Sequence, residues 1–313
     1  MTTICLSPHL DDAVLSLGAT LAETRLAGGS VLVLNLFSAS TENFRSGPLS
    51  FRARALAPER QAEEANAMAH LGVEHQNLGL LDAPFRDRRY RAYARLLGPV
   101  PSWEQCDQEA LERVRAIAQE RGATRILAPL GVGGHVDHRL TYRVGKALEA
   151  EFEVGYYEDL PYALVPFALS RRLRELGVPL PGRTPSVAEV VRAVRAYYAR
   201  HPVYLARPAW QRRLASLGIG AWTAQTERRA RKGSSKPLTL APEVMTVSSE
   251  AFARKLLAIA AYESQVPTMF ASMPAAEEAL RSYAAGVMTS PSPYAERLWR
   301  PEIRDCADSP ERS

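Results

Sequence analysis

The sequence contains little cysteine and no long apolar run, and these two absences narrow the class of protein. Its 313 residues include three cysteines, Cys5, Cys106 and Cys306, without the CxxC or CxxH spacing of a thiolate metal site. An odd number of widely separated cysteines also argues against a disulfide framework. No stretch approaches the roughly 18 apolar residues of a membrane span, and no signal-peptide pattern precedes the first apolar run. We therefore expect a cytoplasmic protein without a membrane span.

Lysine is also scarce, because the basic residues are nearly all arginine, and the formal net charge is +5. A basic chain can bind nucleic acid through nonspecific electrostatics. Here, however, acidic residues are interspersed among the basic ones, and the densest basic stretches, 86–91 and 227–232, are short. We expect both stretches to be solvated surface and expect no nucleic-acid partner.

Apolar, strand-like runs alternate with helix-like segments along the first half of the chain. The predicted strands cover residues 3–7, 30–37, 75–81, 125–130 and 152–157. Such alternation with short connections predicts an α/β fold, with a Rossmann-like, mostly parallel sheet and helices on both faces. Beyond Pro161 two helices, 186–200 and 248–263, flank a loop-rich basic segment, 207–242. We expect a core over residues 1–165 and a helical, loop-rich C-terminal extension over 166–313 packed on it.

Two short clusters of histidine and aspartate each follow a predicted strand. They are Pro8-His9-Leu10-Asp11-Asp12 and His135-Val136-Asp137-His138. Because binding sites in open parallel sheets form beyond the carboxyl ends of the strands, we expect the two clusters to converge. Neutral imidazole and carboxylate bind Zn²⁺ and other divalent transition metals, and a catalytic site leaves one position for water. The clusters therefore predict a metal site to which three of these side chains contribute.

Each cluster also has a purely structural interpretation. Aspartates cap helix N-termini, and the second cluster could be a capped helix with surface histidines. Capping does not explain the adjacent carboxylates of Asp11 and Asp12, which repel each other unless a cation or a proton neutralises one of them. The glycines at 131–134 match neither phosphate-binding glycine pattern, and the chain has no GxSxG. A metal site is therefore favoured over a purely structural role, and a Rossmann-like module that binds a nucleotide or nucleic acid without catalysis is the alternative from another class.

The two motifs, in this order and context, resemble those of the PIG-L or LmbE-like zinc-dependent deacetylases, the GlcNAc-PI de-N-acetylase superfamily. That family carries a strand followed by a His-Pro-Asp-Asp-like motif and, later, a His-x-Asp-His-Arg motif, which here ends at Arg139. Residues 60–63 resemble the family's Arg-x-x-Glu helix, and residues 261–265 resemble a recurring helix near its C-terminus. The resemblance covers residues 3–165 and returns near 255–265.

The resemblance implies which side chains bind the metal and perform the reaction. The implied metal ligands are His9, Asp12 and His138, with Zn²⁺ as the ion and another divalent transition metal as the alternative. Asp11 is implied as the general base for a metal-bound water. His135, oriented by Asp137, is implied as the acid or as an oxyanion stabiliser.

The resemblance also implies a substrate, together with three substrate-binding residues, Arg60, Asp82 and Tyr162. Gly133 stands where some members carry a tyrosine that stabilises the oxyanion, so Tyr162 is the expected second donor. The implied reaction removes the acetyl group from an N-acetylated amino sugar or a glycosylated small metabolite. An amidase for a nonsugar or longer N-acyl substrate is the alternative. We expect a small-molecule substrate as partner. The sequence leaves open whether the protein forms a homo-oligomer.

Overall fold

The described part of the chain is built around one seven-stranded sheet. The computed structural model describes residues 1–39, 57–102, 104–234, 238–289 and 291–302. Within these residues the strands are β1 (Thr2–Ser7), β2 (Ser30–Asn35), β3 (Glu74–Asn77), β4 (Arg125–Pro129), β5 (Glu153–Tyr157), β6 (Leu240–Val247) and β7 (Tyr294–Pro301). Their order is β3-β2-β1-β4-β5-β7-β6. The first five are parallel, whereas β7 runs antiparallel to both β5 and β6.

Helices cover both faces of this sheet. They are α1 (Asp12–Leu26), α2 (Ala57–Leu71), α3 (Ala83–Arg86), α4 (Tyr93–Leu96), α5 (Cys106–Glu120), α6 (Val136–Leu148), α7 (Ala168–Leu176), α8 (Val187–Tyr198), α9 (Pro202–Leu205), α10 (Ala209–Ala230), α11 (Ser249–Ala260), α12 (Val266–Met269) and α13 (Met273–Val287). Short 3₁₀ turns span Arg88–Arg91, Val132–Gly134 and Tyr162–Leu164. None of the described helices combines the length and the apolar character that crossing a membrane requires.

Alternate residues of β1 enter two separate cores. Ile4 and Leu6 pack with α5 and α6 on one face, and Cys5 packs with α1 and α11 on the other. A strand buried on both faces needs a continuous apolar run rather than alternation, which is what the sequence of β1 has. The predicted α/β class, with a mostly parallel sheet between two helical layers, is confirmed.

The C-terminal part of the chain differs from its prediction in two respects. The segment 207–242 is not loop-rich, since α10 occupies 22 of its residues. Trp210, Leu214 and Leu217 of α10 are all more than 60% exposed, so its apolar residues do not mark a single buried face and the helical pattern is obscured. In addition, β6 and β7 extend the sheet, although no strand was predicted after residue 157.

The division into 1–165 and 166–313 stays a prediction, as do the cytoplasmic location and the oligomeric state. Strands β6 and β7 come from beyond that boundary and hydrogen-bond into the same sheet as the first five. The chain therefore returns to the sheet twice, as β6 after helices α7–α10 and as β7 after helices α11–α13.

Candidate active site

The two histidine and aspartate clusters meet where the strand order reverses. β2 and β3 follow on one side of β1, and β4 and β5 lie on its other side. His9 and Asp11 follow β1, and His135 follows β4, which pairs directly with β1. Each cluster also opens a helix, because Asp12 is the first residue of α1 and His135 is the N-cap of α6. This switch point is the usual location of a site in an open α/β sheet.

Three ligand-type atoms converge in the first group. Asp12 Oδ2 lies 3.1 Å from His9 Nδ1 and 3.2 Å from His138 Nε2. All three belong to a set of side chains close enough to share one ion. His138 Nε2 is buried and has no hydrogen-bond partner among the described residues. A buried nitrogen that faces a carboxylate at this distance, without a hydrogen bond, fits a metal ligand.

Asp159 sets the orientation of His138. Its Oδ1 lies 2.7 Å from His138 Nδ1, and its Oδ2 accepts hydrogen bonds of 2.8 Å from the backbone N–H groups of Gly131 and Val132. The carboxylate therefore holds the proton of a neutral His138 on Nδ1 and leaves the lone pair on Nε2. A carboxylate behind a ligating histidine is a common support in metal sites. Asp159 was not assigned this role from the sequence, although an acidic residue just after β5 was a usable signal.

A second group adjoins the first and shares His9. His9 Nε2 lies 3.2 Å from Asp137 Oδ2 and 3.6 Å from Asp82 Oδ1, and His135 completes the set. Both carboxylate oxygens of Asp137 already accept hydrogen bonds, Oδ2 from the N–H of Ala83 and Oδ1 from Arg86. We therefore favour the first group as the metal position, with Asp137 orienting His9 and His135 from behind.

Buried carboxylates dominate the electrostatics of the site. Burial alone would lower the pKa of both His9 and His138, but the surrounding acids outweigh it. Asp82, Asp12 and Asp137 raise the pKa of His9 well above its ordinary value. Asp12 and Asp159 raise the pKa of His138 to about 9. A site that draws protons onto its histidines in this way also favours a divalent cation.

Asp11 and Arg60 form an ion pair at the edge of this site. Arg60 Nη2 extends from α2 to 3.5 Å from Asp11 Oδ2, and both side chains are nearly buried. Burial alone would lower the pKa of Arg60, but Asp11 and the other nearby acids raise it. Arg60 was predicted to bind substrate, and the structure additionally makes it the charge partner of Asp11.

His135 and Tyr162 stand next to the first group. The His135 ring lies 5.0 Å from that of His9 and 5.4 Å from that of His138. Its Nδ1 accepts a 3.3 Å hydrogen bond from the N–H of Asp137, so a neutral His135 carries its proton on Nε2. The Tyr162 ring packs edge-on against His138 at 5.2 Å.

Tyr162 fits beside His138 because residue 133 is glycine. A Cβ at Gly133 would lie 2.6 Å from the Tyr162 ring, closer than any van der Waals contact allows. Gly133 also has φ +84°, a conformation that favours glycine. The absence of a side chain at Gly133 therefore leaves room for the Tyr162 ring.

Two supporting residues were missed or misjudged in the sequence. Arg86 belongs to a stretch predicted to be solvated surface, yet it is largely buried between Asp137 and Glu104, at 2.7 and 3.0 Å. The surface prediction is wrong for Arg86, and likewise for the fully buried Glu227 in the other stretch. Glu64 is fully buried, and although it directly follows the Arg-x-x-Glu segment 60–63, no role was predicted for it.

Glu64 belongs to a hydrogen-bonded chain that reaches the first motif. Asn35 Nδ2 donates to Glu64 Oε1 at 2.8 Å, and Glu64 Oε2 lies 2.5 Å from the Tyr262 hydroxyl, which donates to the carbonyl of Leu10. Burial raises the pKa of Glu64 to about 8, although the hydrogen bonds to Tyr262 and Asn35 oppose the shift. The Tyr262 hydroxyl has one proton for two acceptors, Glu64 Oε2 and the Leu10 carbonyl, and a raised pKa of Glu64 favours the acid form that could donate to Tyr262 instead.

Comparison with known proteins identifies the family of this chain. The GlcNAc-PI de-N-acetylase (PIG-L) family model matches residues 4–149. The 2'-N-acetylparomamine deacetylase of Streptomyces fradiae is 32% identical over 207 residues, which cover 63% of this chain and 71% of that protein. A deacetylase of the same name from Niallia circulans is 28% identical over 183 residues, covering 50% of this chain and 66% of that one.

Solved structures show the same fold over nearly the whole chain. A deacetylase of teicoplanin biosynthesis superposes with a TM-score of 0.64 at 21% identity, covering 96% of this chain and 97% of its own. The A40926 pseudoaglycone deacetylase gives 0.62 at 22% identity, with coverages of 95% and 96%. The chain therefore belongs to the PIG-L family of GlcNAc-PI de-N-acetylases and is a hydrolytic N-deacetylase.

Proposed function

We propose that this enzyme removes the acetyl group from an N-acetylated amino sugar or a glycosylated small metabolite, using one divalent ion held by His9, Asp12 and His138. The observation that carries the proposal is the position of His138. Asp159 binds its Nδ1, and its buried Nε2 faces Asp12 Oδ2 at 3.2 Å without a hydrogen bond. Two imidazoles and one carboxylate suit Zn²⁺, and another divalent transition metal is the alternative.

The ion would supply Lewis-acid chemistry, lowering the pKa of water and polarising an amide carbonyl. Asp11 is the proposed general base, since it adjoins Asp12 without being needed as a ligand. Arg60, 3.5 Å away, stabilises its carboxylate form. Asp11 then accepts the proton of the attacking water at a carboxylate oxygen.

His135 is proposed to act on the other side of the scissile amide. Its Nδ1 is occupied by the N–H of Asp137, so Nε2 is the nitrogen that can donate. From Nε2 it donates a hydrogen bond to the developing oxyanion or a proton to the departing amine. Asp137 orients both His135 and His9, and Tyr162 adds a hydroxyl beside His138.

The substrate class rests on the relatives together with the polar residues around the site. The two curated relatives are named for an N-acetylated amino sugar, 2'-N-acetylparomamine. Arg60 and Asp82, whose side chains reach the site from outside the two motifs, offer a donor and an acceptor that suit sugar hydroxyls. An amidase for nonsugar or longer N-acyl groups keeps the same site and is the alternative.

A substrate panel tests this proposal. Metal-free enzyme is assayed for release of free amine from 2'-N-acetylparomamine, other N-acetylated amino sugars, their N-octanoyl analogues and simple N-acetyl amides, with and without added Zn²⁺. We expect metal-dependent release from N-acetylated amino sugars and release at least about 100-fold slower from the Asp11→Asn variant. Turnover only on octanoyl or nonsugar amides would favour the amidase, and turnover undiminished without any divalent ion would overturn the proposed role of the metal.

A further inference from the structure

A small, partly open cavity with a surplus of positive charge lies against the glycine turn that precedes His135. Gly131, Gly133 and Gly134 form one wall, and α7 and α10 supply much of the rest. Three arginines and one glutamate line it: Arg139, Arg171, Arg172 and Glu175. The free space accommodates about one water-sized particle. We refer to it as the arginine cavity.

Glu175 is the only carboxylate among the residues that line this cavity, and two of the arginines share it. Arg139 Nη2 lies 2.7 Å from Glu175 Oε2, and Arg172 Nη1 lies 3.3 Å from the same oxygen. Arg171 forms no ion pair within 4.0 Å in the described part of the chain, and its guanidinium carbon lies 5.4 Å from the centre of the Trp222 ring. Among the lining residues, three guanidinium groups against one carboxylate leave a formal charge of +2, and Asp159 outside the lining offsets part of the charge on Arg172.

A second acid, Glu227, also raises the pKa of Arg171, but its ion pairs are with two other arginines. Glu227 is fully buried, but it pairs with Arg174 at 2.5 Å and with Arg231 at 3.5 Å. Burial lowers the pKa of Arg171, and it lowers that of Arg172 to about 10, which shows how poorly this environment compensates their charge.

Two hydrogen-bond donors of the cavity also lack acceptors. Arg139 Nε and Arg171 Nη1 are buried and have no partner among the described residues. Arg171 as a whole is only 6% exposed. An unpaired buried charge and an unsatisfied buried donor each carry a substantial free-energy cost, so native proteins pair them with a protein group, water or an ion. Water could satisfy the donors, but it would leave the charge.

We propose that the arginine cavity binds a small inorganic anion of about the size of chloride. Such an ion neutralises part of the surplus charge and accepts from several N–H groups at once. The inner space, which holds about one water-sized particle, fits a monoatomic anion such as chloride. This site is separate from the proposed metal position and does not depend on the proposed substrate.

The bound anion would also hold the turn beside the active site. A Cβ at Gly131 would lie 3.2 Å from Arg172 Nη2, and one at Gly134 would lie 3.3 Å from Arg139 Nη2, so the guanidinium groups pack closely on this turn. The N–H of Gly131 binds Asp159, which in turn holds His138. Fixing the arginines thus stiffens the backbone that supports a proposed metal ligand.

Bromide, which replaces chloride and scatters X-rays anomalously, tests the site directly. Crystals grown without halide are soaked in sodium bromide, and the Tm is measured in sodium chloride and in sodium gluconate at equal ionic strength. We expect a bromide peak within hydrogen-bond distance of Arg139 and Arg171. For a dissociation constant of about 10 mM, 100 mM chloride should raise the Tm by about 2–4 °C relative to gluconate.

In the Arg171→Gln variant, the difference in stability from wild type should change sign when halide is added. Without halide the variant should be at least as stable as wild type, because it lacks an unpaired buried charge, and in chloride it should be less stable. Arg113→Gln, at an exposed arginine paired with Glu109, is the control and should keep the full chloride response. The proposal is wrong if the cavity holds no bromide, or if bromide appears at crystal concentration only, with no chloride effect on the Tm. A chloride response that is unchanged in Arg171→Gln would also overturn it.

Discussion

Asp159 Oδ1 lies 2.7 Å from His138 Nδ1, and both side chains are completely buried. The same carboxylate binds the backbone of the glycine turn through its other oxygen. One aspartate thus connects the end of β5, the turn after β4 and a proposed metal ligand at the start of α6. The proposed metal position therefore depends on this residue as well as on the two motifs.

Asp159→Asn should reduce metal affinity about 10- to 100-fold. The asparagine oxygen would stay on the N–H groups of Gly131 and Val132, and its amide NH₂ would face His138 Nδ1. That contact favours the tautomer with the proton on Nε2, the nitrogen that the metal needs. Competition with a chromogenic chelator measures the affinity. Glu151→Gln, at a half-exposed glutamate paired with Arg115, is the control and should bind metal normally.

Asp11→Asn should retain the metal and lower kcat about 100- to 10,000-fold, the usual contribution of a general base. Asp12→Ala and His138→Ala should instead lose the metal. Elemental analysis and kcat measured on the same preparations separate the two outcomes. Near-normal turnover of Asp11→Asn would assign the base to another residue.

His135→Ala should lower kcat about 100- to 1,000-fold while the metal stays bound, because only a donor to the oxyanion or the leaving amine is removed. Steady-state kinetics with metal analysis provides the check. Loss of the metal would show that His135 is itself a ligand, through the second group of atoms around His9.

Glu64→Gln should make stability less dependent on pH. The pKa of Glu64 is raised to about 8 in the folded protein from an ordinary value near 4.5. Between these values the folded state binds more protons than the unfolded state, so the stability that Glu64 contributes is present below about pH 4.5 and is lost as pH rises to about 8. Glutamine imitates the protonated acid. The free energy of unfolding of the variant should match that of wild type near pH 4.5 and exceed it by a few kcal/mol at pH 9. This expectation uses about 1.4 kcal/mol for each unit of pKa shift. Urea unfolding at the two pH values measures the difference, and equal pH dependence in both proteins would contradict a protonated Glu64.

Gly133→Ala should displace the Tyr162 ring and lower kcat. The new Cβ meets that ring at 2.6 Å, and the positive φ adds roughly 1–2 kcal/mol of strain. Gly182→Ala is a matched control, since Gly182 has φ +82° but no atom within 4 Å of its Cβ position. Both variants should lose stability, whereas only Gly133→Ala should lose turnover. Tyr162→Phe then tests the hydroxyl alone, and unchanged kinetics would leave the ring with a packing role only.

The parallel core of the sheet and the meeting of the two motifs could be predicted from the sequence. Both depend on local patterns: β1 and β4 are continuous apolar runs, and His9 and His135 directly follow them. Because parallel strands place their carboxyl ends at one edge, the convergence of the motifs follows from the fold class alone.

Only the tertiary structure decided which residues support the motifs. Asp159, Arg86 and Glu64 act through partners that lie 21, 51 and 198 residues away, namely His138, Asp137 and Tyr262. No local period marks such contacts, since they arise when separate elements pack and a buried polar group must find a partner. β6 and β7 escaped prediction for a related reason: they are joined antiparallel at the far edge of the sheet, through pairing between segments that are distant in the chain.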